Sequence, residues 1–169
     1  VQVLSERTAR LGSPQAADLN GVTLLERELT YRTEAWRGDE IRIAAHLAMP
    51  AGEQNLPALV IGHGHGGTGS MDMARGSAAA HHLIAVSIDG PGQGGSTGPR
   101  DCMGHWLDVL NDPRDSYLYH YAMAAMRAVT YLRTLPECNP ERIGVTGGSM
   151  GGIMTLLVNG VDTRLACAI

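Results

Sequence analysis

The sequence has few of the residues that cross-link small secreted domains or hold zinc. Its three cysteines, Cys102, Cys138 and Cys167, are odd in number and show no C-x-x-C spacing. This pattern argues against a disulfide framework and against a zinc knuckle. The histidine pairs at 63/65 and 81/82 have no carboxylate or cysteine at ligand spacing. We therefore expect no metal site and no cofactor.

Long apolar runs and clusters of basic residues are also missing. No uninterrupted apolar stretch has the length of a membrane-spanning helix, and residues 1–20 contain no apolar core of a signal peptide. The net charge of −4, with no Lys/Arg run, gives no electrostatic reason to expect nucleic acid or an anionic membrane as partner. A cytoplasmic location without such partners is therefore favoured.

Phenylalanine is absent, whereas 14 of the 22 glycines lie in three clusters, at 62–69, 90–98 and 147–152. Glycine concentrated in this way at strand ends predicts tight turns and close backbone approach. The chain of 169 residues, 44% hydrophobic and 18% charged, has the size and composition of one globular domain.

The hydrophobic pattern alternates between strand and helix signals. Residues 1–20 are predicted to be an irregular lead-in to a domain over 21–169. We predict strands at 22–32, 39–50, 56–62, 83–90, 142–147 and 164–169, the last one buried, and helices at 70–82, 115–135 and 150–160, the last with a left-handed stop at Gly160. Their order predicts an α/β fold, in which helices cover both faces of a mostly parallel sheet after an antiparallel start. A sheet that stops on a strand is predicted to be incomplete.

The stretch Gly147-Gly148-Ser149-Met150-Gly151 fits G-x-S-x-G between a predicted strand and a predicted helix. In that context the pattern is typical of a sharp turn that exposes a nucleophilic serine. Gly147 and Gly151 would remove the collisions that such a turn creates, and Gly148 is also small. The N–H of Met150 would point at the same spot as the serine oxygen and donate to an oxyanion. The alternative is a glycine-rich turn that contains Ser149 by chance.

A second glycine-rich stretch, residues 62–67, follows another buried strand. In α/β-hydrolases this loop supplies the other oxyanion amide. The N–H of His65 is our candidate, with Gly66 next. His63 and Gly64 are predicted to shape the site.

The same loop, as Gly62-x-Gly64-x-x-Gly67, fits a dinucleotide-binding fingerprint. Asp89, at the end of the next strand, lies about where a ribose-binding acid would. Two strand candidates precede this one, however, whereas the fingerprint belongs to the first strand of its unit. The default role for Asp89 is to hold the loop that follows it. A dinucleotide-binding domain therefore remains a minor alternative.

Taken together, these segments resemble the N-terminal part of an α/β-hydrolase. The likeness is to the acetyl xylan esterase, dienelactone hydrolase and prolyl oligopeptidase-like branches. It rests on the His63-Gly64 loop, on DGPGQGGS at 89–96 and on the run AMRAVTYLRTLPECNPERIGVTGGSMGG at 125–152. It covers about residues 22–169, so that 21–169 would be the N-terminal portion of one such domain. The chain has Met150 and His65 where the esterase branch often has Gln and Tyr.

The resemblance implies that Ser149 is the nucleophile and that Met150 and His65 supply oxyanion amides. In the family an Asp or Glu and then a His follow the serine along the chain, and neither position lies within these residues. One hypothesis is a serine esterase of small acyl esters whose acid and His come from outside this chain, from a separate chain, the other half of a nicked polypeptide or a longer protein. The alternative is a non-catalytic module that pairs its edge strand 164–169 with a copy of itself or with a partner.

Overall fold

The computed structural model describes residues 2–8, 18–19, 21–100, 104–106 and 108–169. Its strands are β1 (Val3–Thr8), β2 (Asp18–Leu19), β3 (Val22–Trp36), β4 (Asp39–Pro50), β5 (Leu56–Gly62), β6 (Ile84–Ile88), β7 (Cys138–Gly147) and β8 (Cys167–Ala168). Its helices are α1 (Met71–His81), α2 (Tyr117–Leu132) and α3 (Met150–Val161), and a 3-10 turn, Pro113–Asp115, precedes α2. None of the described helices is long and apolar enough to cross a bilayer.

The strands form one sheet in the order β1-β3-β4-β6-β5-β7-β8, with β2 paired to β3. The pairs from β1 to β6 are antiparallel, and β6, β5, β7 and β8 run parallel. The predicted α/β class and its antiparallel start are therefore confirmed, and the described part of the sheet is mixed. Because β5, β6 and β7 run in the same direction, the loops at their carboxyl ends meet at one edge of the sheet.

Helices pack on both faces of this sheet. Ala74 and Ala78 of α1 are buried in a small apolar cluster with Leu24, Ala48 and Ala85 on one face. Helices α2 and α3 belong to the larger cluster on the other face, in which Ile143 and Val145 of β7 are fully buried. The alternate β7 residues 142, 144 and 146 line a groove on the α1 face. Alternation along β7 thus assigns its residues to the two faces.

Three of the predictions are wrong in part. The irregular lead-in is wrong for Val3–Thr8, which pairs with the outer edge of β3; its sequence, VLSERT, has no apolar alternation and so gives no strand signal. The last strand is not buried: within the part of the chain that the structure describes it pairs on one side only, and Ile169 is 78% exposed. Helix α3 does not stop at Gly160 in a left-handed conformation; it ends at Val161, and the next residue, Asp162, has an extended backbone (φ −101°).

The carboxylate of Asp162 joins the end of α3 to α2 through Arg164. Its oxygens accept hydrogen bonds from Arg164 Nε at 2.7 Å and Nη2 at 2.6 Å, while Nη1 donates to Thr130 Oγ1 at 2.7 Å. Burial of Asp162 opposes ionisation, but the bonds from the Arg164 side chain and backbone outweigh it and lower the pKa of Asp162. The ionised form is therefore the stabilising one.

Replacing Asp162 by asparagine is expected to lower the free energy of unfolding by about 1.5–3 kcal/mol at pH 7, the range for hydrogen bonds to charged groups. Because the pKa is lowered in the folded chain, this contribution is complete above the unfolded pKa near 4 and is lost as the pH falls further. Urea unfolding at pH 7 and pH 3 measures the difference. Asp72→Asn, at a position whose side chain is 91% exposed, is the control with little expected effect. A penalty for Asp162→Asn that is unchanged at pH 3 would contradict the assignment.

Candidate active site

The chain turns sharply between the end of β7 at Gly147 and the start of α3 at Met150. Ser149 has φ 56° and ψ −118°, a combination outside the left-handed helical region in which His82 lies (φ 55°, ψ 55°). A non-glycine residue held there costs of order 1–3 kcal/mol, and such strain concentrates at functional sites. The side chain of Ser149 is exposed and makes no capping hydrogen bond to α3. Its hydroxyl is thus presented outward and is not used to stabilise the helix.

Two of the flanking glycines are required by close backbone approach. A Cβ on Gly147 would lie 2.6 Å from the carbonyl carbon of Gly151. A Cβ on Gly151 would lie 2.8 Å from the carbonyl carbon of Gly62 and 2.9 Å from the carbonyl oxygen of His63. Gly148, by contrast, has open space where its Cβ would be, so no steric requirement accounts for glycine at that position.

The loop after β5 lies directly against the serine turn. A Cβ added to Gly64 would be 3.5 Å from Ser149 Cβ and 3.5 Å from the carbonyl oxygen of Gly148. The loop closes through a hydrogen bond of 3.1 Å from Gly67 N–H to Gly64 O, and Gly66, at its third position, has φ +69°. A type II turn requires such a positive φ. The two glycine-rich stretches singled out in the sequence therefore meet at the carboxyl edge of the sheet.

His63 is buried, and both of its ring nitrogens are occupied. The N–H of Gly90 donates to Nε2 at 2.7 Å, and Nδ1 lies 2.7 Å from the carbonyl oxygen of Gly64. The hydroxyl of Tyr121 in α2 donates to the carbonyl oxygen of His63 at 3.1 Å. His63 thus joins three segments and has no ring nitrogen left to accept a proton from a serine.

His65 extends toward the loop that precedes α2. Its ring stacks on that of Trp106, with 5.5 Å between the centroids and 25° between the planes. The carbonyl of Trp106 in turn accepts a hydrogen bond of 2.7 Å from Ser116 Oγ at the start of α2. These contacts hold the ring of Trp106 against His65 and tie the loop that contains Trp106 to the start of α2.

Asp89 is fully engaged in holding backbone. Its Oδ1 accepts from Gly69 N–H and its Oδ2 from Gly95 N–H, each at 2.8 Å. The loop-holding role expected for this residue is confirmed. Asp89 is also only 3% exposed, so its carboxylate is not accessible to a ribose. In addition, the glycine loop ends four residues before α1 begins at Met71, so it does not open a helix as a dinucleotide fingerprint requires. The minor alternative therefore has no structural basis.

Tyr121 is a residue of this region that the sequence did not single out. It lies within the predicted helix 115–135, which assigns it no role in the site, and it is fully buried. Nothing in the local sequence shows that its hydroxyl reaches the His63 carbonyl, because the two are 58 positions apart. Among the described residues, no group of three His, Cys, Asp or Glu side chains is arranged to hold a metal ion.

Known proteins resemble this chain in sequence and in fold. The family model for acetyl xylan esterase (AXE1) matches residues 23–169. Acetyl esterase Axe7A of Xylanibacter ruminicola is 33% identical over 66 residues, which cover 39% of this chain and 15% of that protein. The acetyl xylan esterase of Paenibacillus sp. R4 superposes with a TM-score of 0.75 at 25% identity, covering 97% of this chain and 50% of that one.

Acetyl xylan esterase 1 of Thermoanaerobacterium sp. has the same fold, with a TM-score of 0.68 at 24% identity, and 98% of this chain matches 51% of that one. The chain thus spans about half the length of these solved relatives. The architecture is that of an α/β-hydrolase, and the family model covers all but the first 22 residues. The chain belongs to the acetyl xylan esterase (AXE1) family.

Proposed function

We propose that this chain carries the nucleophile and oxyanion hole of a serine esterase that acts on small acyl esters. The observation that carries the proposal is the strained backbone of Ser149, which is exposed just after the end of β7 and lies beside the loop at Gly64. A residue is rarely kept in such a conformation unless the position of its side chain matters. Family membership and the acetyl esterase relatives favour esters of short acids such as acetate.

The reaction would follow the acyl-enzyme route. Ser149 Oγ attacks the ester carbonyl carbon while its proton passes to a histidine, and the carbonyl oxygen becomes an oxyanion. The N–H groups of Met150 and His65 donate to that oxyanion. The C–O bond then breaks, and the alcohol leaves with the proton from the histidine. Water, deprotonated by the same histidine, releases the acid and restores the hydroxyl.

We propose that the catalytic acid and histidine come from a complementary half of the fold. Two observations support this. The chain covers only about half the length of its solved relatives, and the edge of the sheet at β8 is open over the described ranges of the chain. In the described residues β8 has a neighbour on one side only. On the α1 face beside it lies an open groove of about 610 Å³, lined by Leu59, Leu83, Thr146, Cys167 and Ile169 among others. On the other face, α3 exposes Ile153, Leu156, Leu157 and Val161, with Leu156 73% exposed.

Further β–α units would cover both surfaces at once. A parallel strand added to β8 would satisfy its free backbone groups, and a helix on each face would bury the apolar groove and the outer surface of α3. Large adjoining apolar surfaces of this kind mark a place where other polypeptide packs.

Cysteine alkylation tests this arrangement. In the 169-residue chain, iodoacetamide is expected to label Cys167, which is exposed. Burial raises the pKa of Cys138 to about 11, so its reactive thiolate is scarce at pH 8 and it should stay unlabelled until the chain unfolds. In the polypeptide that the whole gene encodes, Cys167 should become protected as well. Peptide mass mapping locates the label, and equal labelling of Cys167 in both forms would contradict the proposed contact.

Turnover of p-nitrophenyl acetate tests the function. We expect the polypeptide that the whole gene encodes to hydrolyse it, and the 169-residue chain alone to lose several orders of magnitude in rate, because a serine without its base is a poor nucleophile. If both forms are inactive although folded, the esterase proposal is wrong.

A non-catalytic module that associates with a copy of itself is the second candidate. The same open edge of β8 and the exposed apolar residues of α3 favour it. Intact-mass measurement of the purified material separates the two candidates. A co-purifying second polypeptide or a longer chain supports the esterase, whereas a homodimer of 17.9 kDa chains without turnover supports the module.

A further inference from the structure

We propose that His63 is a positioning residue that sets the orientation of the His65 amide. The inference rests on the proposed function, in which that amide donates to the oxyanion. It extends that function by assigning the control of the amide to one buried imidazole.

The hydrogen bonds of His63 fix its tautomer. The backbone N–H of Gly90 can only donate, so the Nε2 atom that it contacts at 2.7 Å must be unprotonated. A neutral imidazole then carries its proton on Nδ1. That proton is donated to the carbonyl oxygen of Gly64, which lies 2.7 Å away. Protonation of Nε2 would set two N–H groups against each other.

The Gly64 carbonyl belongs to the same peptide plane as the His65 N–H. A trans peptide is planar, and its C=O and N–H point in opposite directions. Holding the Gly64 oxygen therefore fixes the direction of the His65 N–H. The oxygen is held from two sides, by His63 Nδ1 and by the N–H of Gly67 at 3.1 Å. Without the imidazole bond this peptide could rotate, because Gly64 has no Cβ to oppose the rotation. A rotated peptide would present a carbonyl where a donor is needed.

The ring itself is supported on several sides, which makes the bond a rigid one. It is 5% exposed, and its centroid lies 5.3 Å from that of Tyr121. The hydroxyl of Tyr121 holds the His63 carbonyl at 3.1 Å. A Cβ on Gly90 would lie 3.0 Å from Nε2, so the loop after β6 approaches the ring as closely as glycine allows. His63 thus fixes the position of the His65 amide relative to both β6 and α2.

Two conservative variants separate the two bonds of the ring. In His63→Asn the side-chain amide nitrogen can take the place of Nδ1 and keep the bond to the Gly64 carbonyl, while the bond from Gly90 is lost. In His63→Gln the side-chain oxygen can take the place of Nε2 and keep the bond from Gly90, while the Gly64 carbonyl is released. Each variant loses one hydrogen bond to backbone, so a merely structural role predicts similar effects for both.

The exchange rate of the Gly67 amide hydrogen reports whether the Gly64 carbonyl keeps its orientation, because this N–H donates to that oxygen. The measurement does not depend on catalysis. We expect exchange in the folded 169-residue chain to accelerate about tenfold or more in His63→Gln and to change little in His63→Asn, since a factor of ten corresponds to the loss of a typical hydrogen bond. Equal acceleration in both variants, or none in His63→Gln, would overturn the inference. If neither variant folds, the imidazole ¹⁵N spectrum of the unmodified chain decides: a proton on Nδ1 supports the inference and a proton on Nε2 overturns it.

Kinetics of the complete polypeptide give the second measurement. His63→Gln should lower kcat about 10²-fold with little change in KM, as removal of an oxyanion donor does. His63→Asn should retain most of the activity. If the unmodified polypeptide has no esterase activity, the proposed function fails. The exchange rate of the Gly67 amide still tests by itself whether His63 holds the Gly64–His65 peptide.

Discussion

Replacing Gly151 by alanine is expected to lower the free energy of unfolding by about 3 kcal/mol, the upper end for overpacking. The added methyl group would strike the carbonyl group of Gly62 and approach the carbonyl oxygen of His63 to 2.9 Å. Both neighbours are backbone: Gly62 is fixed by the parallel pairing of β5 with β7, and the His63 carbonyl accepts a hydrogen bond of 3.1 Å from the Tyr121 hydroxyl. The strain cannot be relieved by a side-chain rotation, so either α3 moves away from the sheet or the loop after β5 is displaced.

Gly148→Ala is the matched control, three positions away in the same turn. Its Cβ would meet no atom within 4 Å, and its φ is not positive. We expect its effect on stability to stay within about 0.5 kcal/mol, the usual range for surface changes. Urea unfolding of the two variants measures the contrast. Equal stability of the two would mean that α3 does not pack against β5 as closely as described.

Ser149→Ala is expected to lower ester turnover by the complete polypeptide by about 10⁴-fold or more, as removal of a catalytic nucleophile does. Its effect on stability should be small, because the hydroxyl makes no capping bond to α3. Ser149→Gly should be equally inactive and yet more stable by about 1 kcal/mol, since glycine adopts φ 56° without strain. The nucleophile would thus occupy its position at a cost in stability.

Ser70→Ala provides the comparison for a serine with an ordinary structural role. Ser70 caps α1, and its Oγ accepts a hydrogen bond of 3.2 Å from Met73 N–H. Its removal should cost about 1 kcal/mol without lowering turnover as Ser149→Ala does. If Ser149→Gly is less stable than the unmodified chain, the strain assigned to Ser149 is absent.

The parts of the fold and of the site that depend on neighbouring residues could be predicted from the sequence. β4 and β5 have the predicted limits, because alternation at 39–50 and the continuous apolar run at 56–62 are local signals. The serine turn is also local. Its glycines lie two residues on either side of Ser149, and both meet backbone that leaves no room for a Cβ.

The remaining features depend on contacts between distant segments. The polar strand β1 is held by pairing with β3, and its own sequence carries no apolar alternation that would predict it. The exposure of β8 depends on its neighbours in the sheet, of which the described residues supply only β7, and not on its own composition. The bonds of His63 join residues 27 and 58 positions apart, so no motif could predict them. Sequence indicated that His63 shapes the site, and geometry supplied the atoms through which it could do so.

The most direct test of the central claim is labelling by a fluorophosphonate, which forms a covalent bond only with an activated serine. The reagent should modify the complete polypeptide stoichiometrically, peptide mapping should locate the added mass on Ser149, and Ser149→Ala should abolish it. A complete, folded polypeptide that takes up no label, or takes it up on another residue when Ser149 is intact, would contradict the account.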